Sequence, residues 1–176
     1  FDTGAGGYID FLYSEERKCI IMKSENSNII TQSFTRQSEN FQAGKMNFSK
    51  KDYLDFIVSC TKPSESDTVL EVAAGTCACG RVFSPFVHQV ICLDMTPAML
   101  SAGKIEAEWQ KLNNITYVLG DARELPFLEN SFDIVISRLA FHHFPDPKEY
   151  FEEMQRVLKP GGKLVLIDME AAEEEL

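Results

Sequence analysis

Asp94 closes a short apolar run 19 residues after Gly75, and a carboxylate at that distance from a small-residue turn can accept hydrogen bonds from both hydroxyls of a ribose. The turn belongs to the stretch VLEVAAGTCACG, Val69 to Gly80, in which an aliphatic run opens into residues with little side chain. Such a loop lets a ligand approach the main chain, and free amides at the start of a following helix favour anionic groups. The dinucleotide pattern GxGxxG is not met, because Ala73 and Ala78 stand at its first and third glycines while Gly75 holds the second. Asp121, after Gly120 at the end of a later apolar run, is a second carboxylate of the same kind. It suits an adenine amino group, with the Ala122 amide offered to the ring, or else the stabilisation of its own turn. Asp94 has a competing role too, as cap of the helix that starts at Pro97, but Thr96 is better placed for that.

These residues need a scaffold that brings strand ends together. From Thr68 onward, short apolar runs alternate with longer periodic ones, the pattern of βαβ units around a parallel sheet. Strands are expected at Thr68 to Val72, Gln89 to Leu93, Ile115 to Leu119, Phe132 to Ser137 and Lys163 to Asp168. Their near-continuous apolarity suits strands covered by helices on both faces. Thr96-Pro97 and Asp146-Pro147 each pair an N-cap with a proline at the first helical position. Pro85 shortens or kinks the helix after the loop, and Pro160-Gly161-Gly162 forces a tight turn before the last strand. The reading is therefore an α/β, Rossmann-like core over residues 68–176. Residues 1–67 form a separate segment, with a hairpin over Ile9 to Lys23, one helix within Asn28 to Phe41 and another after a Ser49 cap.

The whole composition agrees with one domain. The chain has 176 residues, 44% hydrophobic and 25% charged, which excludes disordered, collagenous and coiled-coil classes. A net charge of −10 argues against nucleic acid or an anionic membrane as the main partner. No apolar run reaches the roughly 20 residues of a spanning helix, and a cytoplasmic location is expected. The five cysteines, Cys19, Cys60, Cys77, Cys79 and Cys92, contain no CxxC pair and read as reduced packing residues, with no metal site expected.

Taken together, VLEVAAGTC (Val69 to Cys77), LDMTPAML (Leu93 to Leu100), GDARELPF (Gly120 to Phe127), SFDIVISRLAFHHFPDP (Ser131 to Pro147) and RVLKPGGKL (Arg156 to Leu164) resemble the class I S-adenosylmethionine (SAM)-dependent methyltransferases. Within that class the likeness is to the ubiquinone/menaquinone-biosynthesis type, the methyltransferase type 11 group. The resemblance implies that Glu71, Ala73 and Gly75 surround the methionine part of SAM and that Asp94 holds the ribose. Asp121 and Ala122 face the adenine, flanked by Met95 and Leu125, and Arg138 or the backbone beside it lies near the amino-acid end. Independent physics agrees, because SAM carries a sulfonium and an ammonium and three carboxylates at one sheet edge favour cations. His142 and His143 lie where the family lines the substrate side of the cleft. Either can take a proton from a hydroxyl or carbon acid, or serve as a structural histidine beside Phe141 and Phe144. Phe34 and Phe41 are candidates for a lid or for plain core.

Two features depart from the family. Cys77 stands where glycine is common and is expected to narrow the loop, and the chain ends soon after the fifth strand, where two further strands usually follow. The N-terminal hairpin is then a candidate to fill the open edge, within the chain or by exchange between two chains of a homodimer. The resulting expectation is methyl transfer to a small molecule. The alternatives are a noncatalytic SAM-binding module or truncated methyltransferase domain and, behind these, an NAD-type oxidoreductase.

Overall fold

In a computed structural model the structure describes residues 51–168. The N-terminal hairpin, the Asn28 to Phe41 helix with Phe34 and Phe41, and the Ser49 cap lie outside the described residues.

The elements run α1 (Lys51–Thr61), β1 (Thr68–Val72), α2 (Ala78–Phe83), β2 (Gln89–Asp94), α3 (Pro97–Trp109), β3 (Ile115–Leu119), β4 (Phe132–Arg138), α4 (Pro147–Val157) and β5 (Leu158–Ile167). Short 3₁₀ turns cover Ser84–Phe86 and Phe141–His143. All strand pairs are parallel and the sheet order is β3-β2-β1-β4-β5. The order therefore reverses direction between β1 and β4, the switch point beside which open α/β sheets bind ligands.

The apolar runs bury both faces. One face packs Val69, Val90, Ile134 and Ile136 under Leu54 and Ile57 of α1 and Cys79 and Phe83 of α2. The other sets Leu70, Val72, Val135 and Leu164 against Tyr150, Met154 and Val157 of α4. Tyr150 stacks on Phe144 with ring centroids 3.6 Å apart, so α4 is tied to the turn that follows β4. Pro85 acts as expected: α2 stops at Phe83 and a 3₁₀ turn takes over.

Beyond single-residue differences at strand ends, two features depart from the sequence expectation. β5 begins at Leu158, not Lys163, because Leu158 pairs with Phe132 while Lys163 pairs with Ile134. The turn expected at Pro160-Gly161-Gly162 is a bulge inside the strand, with Gly161 at φ 78, and the chain rejoins the ladder at Lys163. At α3, Thr96 occupies the N-cap position but its side chain makes no capping bond. The Thr96 amide instead donates to Asp94 Oδ1 at 2.8 Å.

Candidate functional site

In the loop after β1 every second residue is left-handed. Ala73, Gly75 and Cys77 have φ of 52, 53 and 59, so two side chains occupy a conformation that favours glycine. The loop is held from both sides. Ala74 donates to the Leu93 carbonyl at 2.9 Å, and the Gly75 amide donates to Asp94 Oδ2 at 2.7 Å, fastening the loop to the end of β2. From α3, Gly103 approaches so closely that an added Cβ would lie 2.6 Å from the Thr76 carbonyl oxygen. Arg81 donates to that same carbonyl.

Asp94 thus receives amides on both oxygens, from Gly75 and Thr96, and is 9% exposed. Burial raises its pKa above the usual carboxylate value, and the two amides oppose that rise. An ionised carboxylate has about four acceptor sites over its two oxygens, so Asp94 can accept from ribose hydroxyls as well as from these amides.

Glu71 does something else. It is 2% exposed and accepts the Gly80 amide at 2.7 Å and the Cys79 amide at 3.3 Å, both in the first turn of α2. Cys77, the N-cap of α2, makes no side-chain capping bond, so Glu71 supplies that cap from the strand below. Burial raises its pKa, opposed first by the Gly80 amide and then by the nearby Arg138. Glu71 is therefore a buried support of the loop and helix. The expectation of three carboxylates at the cleft reduces, for direct contact, to Asp94 and Asp121.

Asp121 faces its own turn. Its oxygens accept from Arg123 Nε at 2.9 and 3.1 Å, from Arg123 Nη2 at 2.5 Å and from the Arg123 amide at 2.9 Å, and this guanidinium holds its pKa below the usual value. Ala122 and Leu125 are buried, at 7% and 3% exposure, in the α4-side core, whereas Met95 is half-buried. Leu125 is thus core rather than a side chain on open cleft. Sequence reasoning missed the clamp that fixes this segment: Arg156 of α4 donates to the carbonyls of Leu125 and Phe127 at 2.9 and 2.8 Å while paired with Glu153. Glu153 in turn accepts the Leu125 amide at 2.7 Å.

Cys77 corrects a further expectation. Its side chain is fully buried in the core cluster with Cys92 and Cys79, so it packs beneath the loop and does not narrow the open side. Burial and Glu71 push the Cys79 thiol up to about 12, which leaves it protonated and unreactive.

At the end of β4, Arg138 shares the sheet face of Glu71, and beyond it Leu139 to Phe144 curl across the end of β5. His142 Nδ1 lies 2.6 Å from Asp168 Oδ1, and the rings of His142 and His143 are 3.8 Å apart. Burial and the neighbouring His142 push the His143 pKa down to about 4.

An adenosyl sulfonium fits these residues. Gly75 has φ 53 and an added Cβ would meet nothing within 4 Å among the described residues, so these leave one face of the loop free of side chains. At the same end of β4, Ser137 Oγ is buried with no hydrogen-bond partner among the described residues. Asp94 borders the open face, and no group of three or more metal-ligating side chains occurs among the described residues.

The strand order, the switch-point loop and the acidic end of β2 define the Rossmann-like fold of SAM-dependent methyltransferases. A family model described as a methyltransferase domain matches residues 70–166, and the chain belongs to that family. An uncharacterized methyltransferase of Bacillus subtilis, YcgJ, is 31% identical over 141 residues, covering 80% of this chain and 55% of the relative. The crystal structure of that protein superposes with a TM-score of 0.65 at 33% identity, covering 69% of this chain and 52% of the other. A ubiquinone/menaquinone biosynthesis C-methyltransferase of Shewanella frigidimarina is 36% identical over 115 residues, covering 61% of this chain and 45% of the relative. The chain spans about half the length of the curated relatives it matches. No helix among the described residues is long and apolar enough to cross a membrane.

Proposed function

We propose that the chain binds SAM in the cleft between the Gly75 loop and the end of β4 and directs its methyl group to a small-molecule acceptor. The observation that carries this reading is the Gly75 amide held 2.7 Å from Asp94 at the sheet's switch point, with the glycine's other face open. Asp94 takes the ribose hydroxyls, and Ala73 and Gly75 offer main chain to the methionine part. Asp121, Ala122 and Met95 border the adenine, with the Arg123 guanidinium sharing Asp121. Arg138, beside Glu71 and at the end of β4, lies toward the amino-acid end.

Bound SAM supplies an electrophilic methyl on a sulfonium, whose departure as a thioether needs no proton. The chain's own work is then alignment and exclusion of water, which can supply roughly 7 to 11 kcal/mol. His142 and His143 remain the candidates to take a proton from the acceptor. Relatives named for menaquinone and ubiquinone biosynthesis support an electron-rich hydroquinone ring carbon as the acceptor. The noncatalytic reading loses one of its supports, because the Cys77 side chain packs in the core. The oxidoreductase alternative gains nothing from the family match.

Incubation with methyl-labelled SAM and a panel of hydroquinones, phenols, amines and thiols tests the reading. Label is expected in a hydroquinone product together with S-adenosylhomocysteine. Tight SAM binding without label in any acceptor would support the noncatalytic alternative.

A further inference from the structure

We propose that Asp168 is a positioning residue that fixes His142 in the tautomer with Nε2 free to accept a proton. The inference rests on the methyl-transfer reading above. One oxygen of Asp168 lies 2.6 Å from His142 Nδ1, and the other accepts the His142 amide at 3.1 Å. Both side chains are largely buried, at 20% exposure for His142 and 12% for Asp168. An ionised carboxylate has acceptor sites only, so Nδ1 carries the hydrogen and Nε2 keeps the lone pair.

The fold builds this contact. Arg138 and Ile167 are partners in the β4–β5 ladder, and the Leu139 amide donates to the Ile167 carbonyl at 2.7 Å. That bond pulls the chain across the end of β5. The turn Phe141–His143 then sets both the ring and the amide of His142 against Asp168, the residue just past the strand. His143 stays neutral beside it, its pKa lowered to about 4 by burial and by the neighbouring His142.

As a π pair of the hydroquinone ring forms the bond from ring carbon to methyl carbon, the carbon–sulfur bond breaks with its electrons on sulfur. The ring hydroxyl's proton passes to His142 Nε2 while its oxygen becomes a dienone carbonyl, and transfer of the ring C–H proton to that oxygen then restores the aromatic ring. The imidazolium so formed is stabilised by Asp168, and each atom and charge is accounted for.

Asp168→Asn tests this with a readout independent of turnover. Asp168 must accept from two donors, and one of them, the His142 amide, can only donate. Asparagine has one acceptor oxygen; with that oxygen on the amide, its NH₂ faces Nδ1 and selects the Nε2–H form. Nitrogen-15 NMR of imidazole-labelled protein should show Nδ1–H for His142 in the wild type and Nε2–H in the variant. Turnover of the panel acceptor that the wild type methylates should fall by about 10²-fold or more, with SAM affinity within about twofold. A wild-type His142 protonated on Nε2 overturns the inference even if the variant fails to fold. An unchanged tautomer or unchanged kcat in a folded variant does so as well. A wild type that binds no SAM and methylates no acceptor overturns the functional reading and this inference with it. The wild-type tautomer, read without cofactor, separates that failure from a wrong assignment of Asp168.

Discussion

Replacing Asp94 probes the loop and the cofactor at once, and the structure separates the two costs. Each oxygen of Asp94 receives an amide, from Gly75 at 2.7 Å and from Thr96 at 2.8 Å. Asp94→Ala strands both donors at a position only 9% exposed. An unsatisfied buried donor costs about 1 to 3 kcal/mol, so the folded state should lose about 2 to 4 kcal/mol once partial water access is allowed for. The ribose contact is a separate, charge-assisted interaction of about 1.5 to 3 kcal/mol, which weakens SAM binding roughly 12- to 160-fold. Asp94→Asn should not be a mild change. Its amide NH₂ would face one of the two N–H donors, so most of the stability loss should remain. Urea unfolding reads the first cost, and calorimetric titration with SAM and S-adenosylhomocysteine at a temperature where the variant is folded reads the second. A folded Asp94→Ala protein with wild-type affinity for both ligands would refute the ribose assignment.

Gly75→Ala places a side chain at φ 53, on the open face of the loop. The strain is about 1 to 2 kcal/mol, and SAM titration should show a loss of affinity beyond what that stability change explains. Gly103→Ala drives a Cβ to 2.6 Å from the Thr76 carbonyl. It should destabilise the fold by about 1 to 3 kcal/mol in urea unfolding and also weaken SAM, because the loop is displaced. His143 has a folded pKa depressed to about 4 from 6.5. Its contribution to stability is therefore present above pH 6.5 and is lost as pH falls toward 4, because the unfolded chain takes up the proton first. Urea midpoints compared between wild type and His143→Gln from pH 7 to pH 4.5 should show the wild type losing more stability on acidification. Glu71 and Asp94, whose pKa values are raised, oppose that trend equally in both proteins.

The strands were readable because each is a short β-branched or aliphatic run between turn residues. Of the five expected, β1 and β3 match residue for residue, and β2 and β4 extend one residue further. β5 differed because a bulge is invisible to a pattern of period two. Proline and two glycines signal a break, but pairing with β4 decides whether the break is a turn before the strand or a kink inside it. Asp94 could be located by its spacing from Gly75. Its second task, receiving the Thr96 amide, depends on how the two loops meet. The inward direction of Glu71 and Cys77 was not legible, because adjacency in the motif says nothing about which way a side chain faces. The Glu153 and Arg156 pair was visible on its helix at i and i+3. Its reach to carbonyls 29 and 31 residues away was not. Asp168 had the same signal as Asp94 and Asp121, an acid at a strand's end, but its partner His142 is 26 residues away and reaches it only through the β4–β5 register.

A crystal structure with S-adenosylhomocysteine bound would show which cleft holds the cofactor. The adenosyl group is expected against the open face of Gly75, with both ribose hydroxyls on Asp94 and the homocysteine part running toward β4. The same crystals with that cleft empty, or with the ligand held elsewhere and Asp94 still bonded only to Gly75 and Thr96, would contradict that placement.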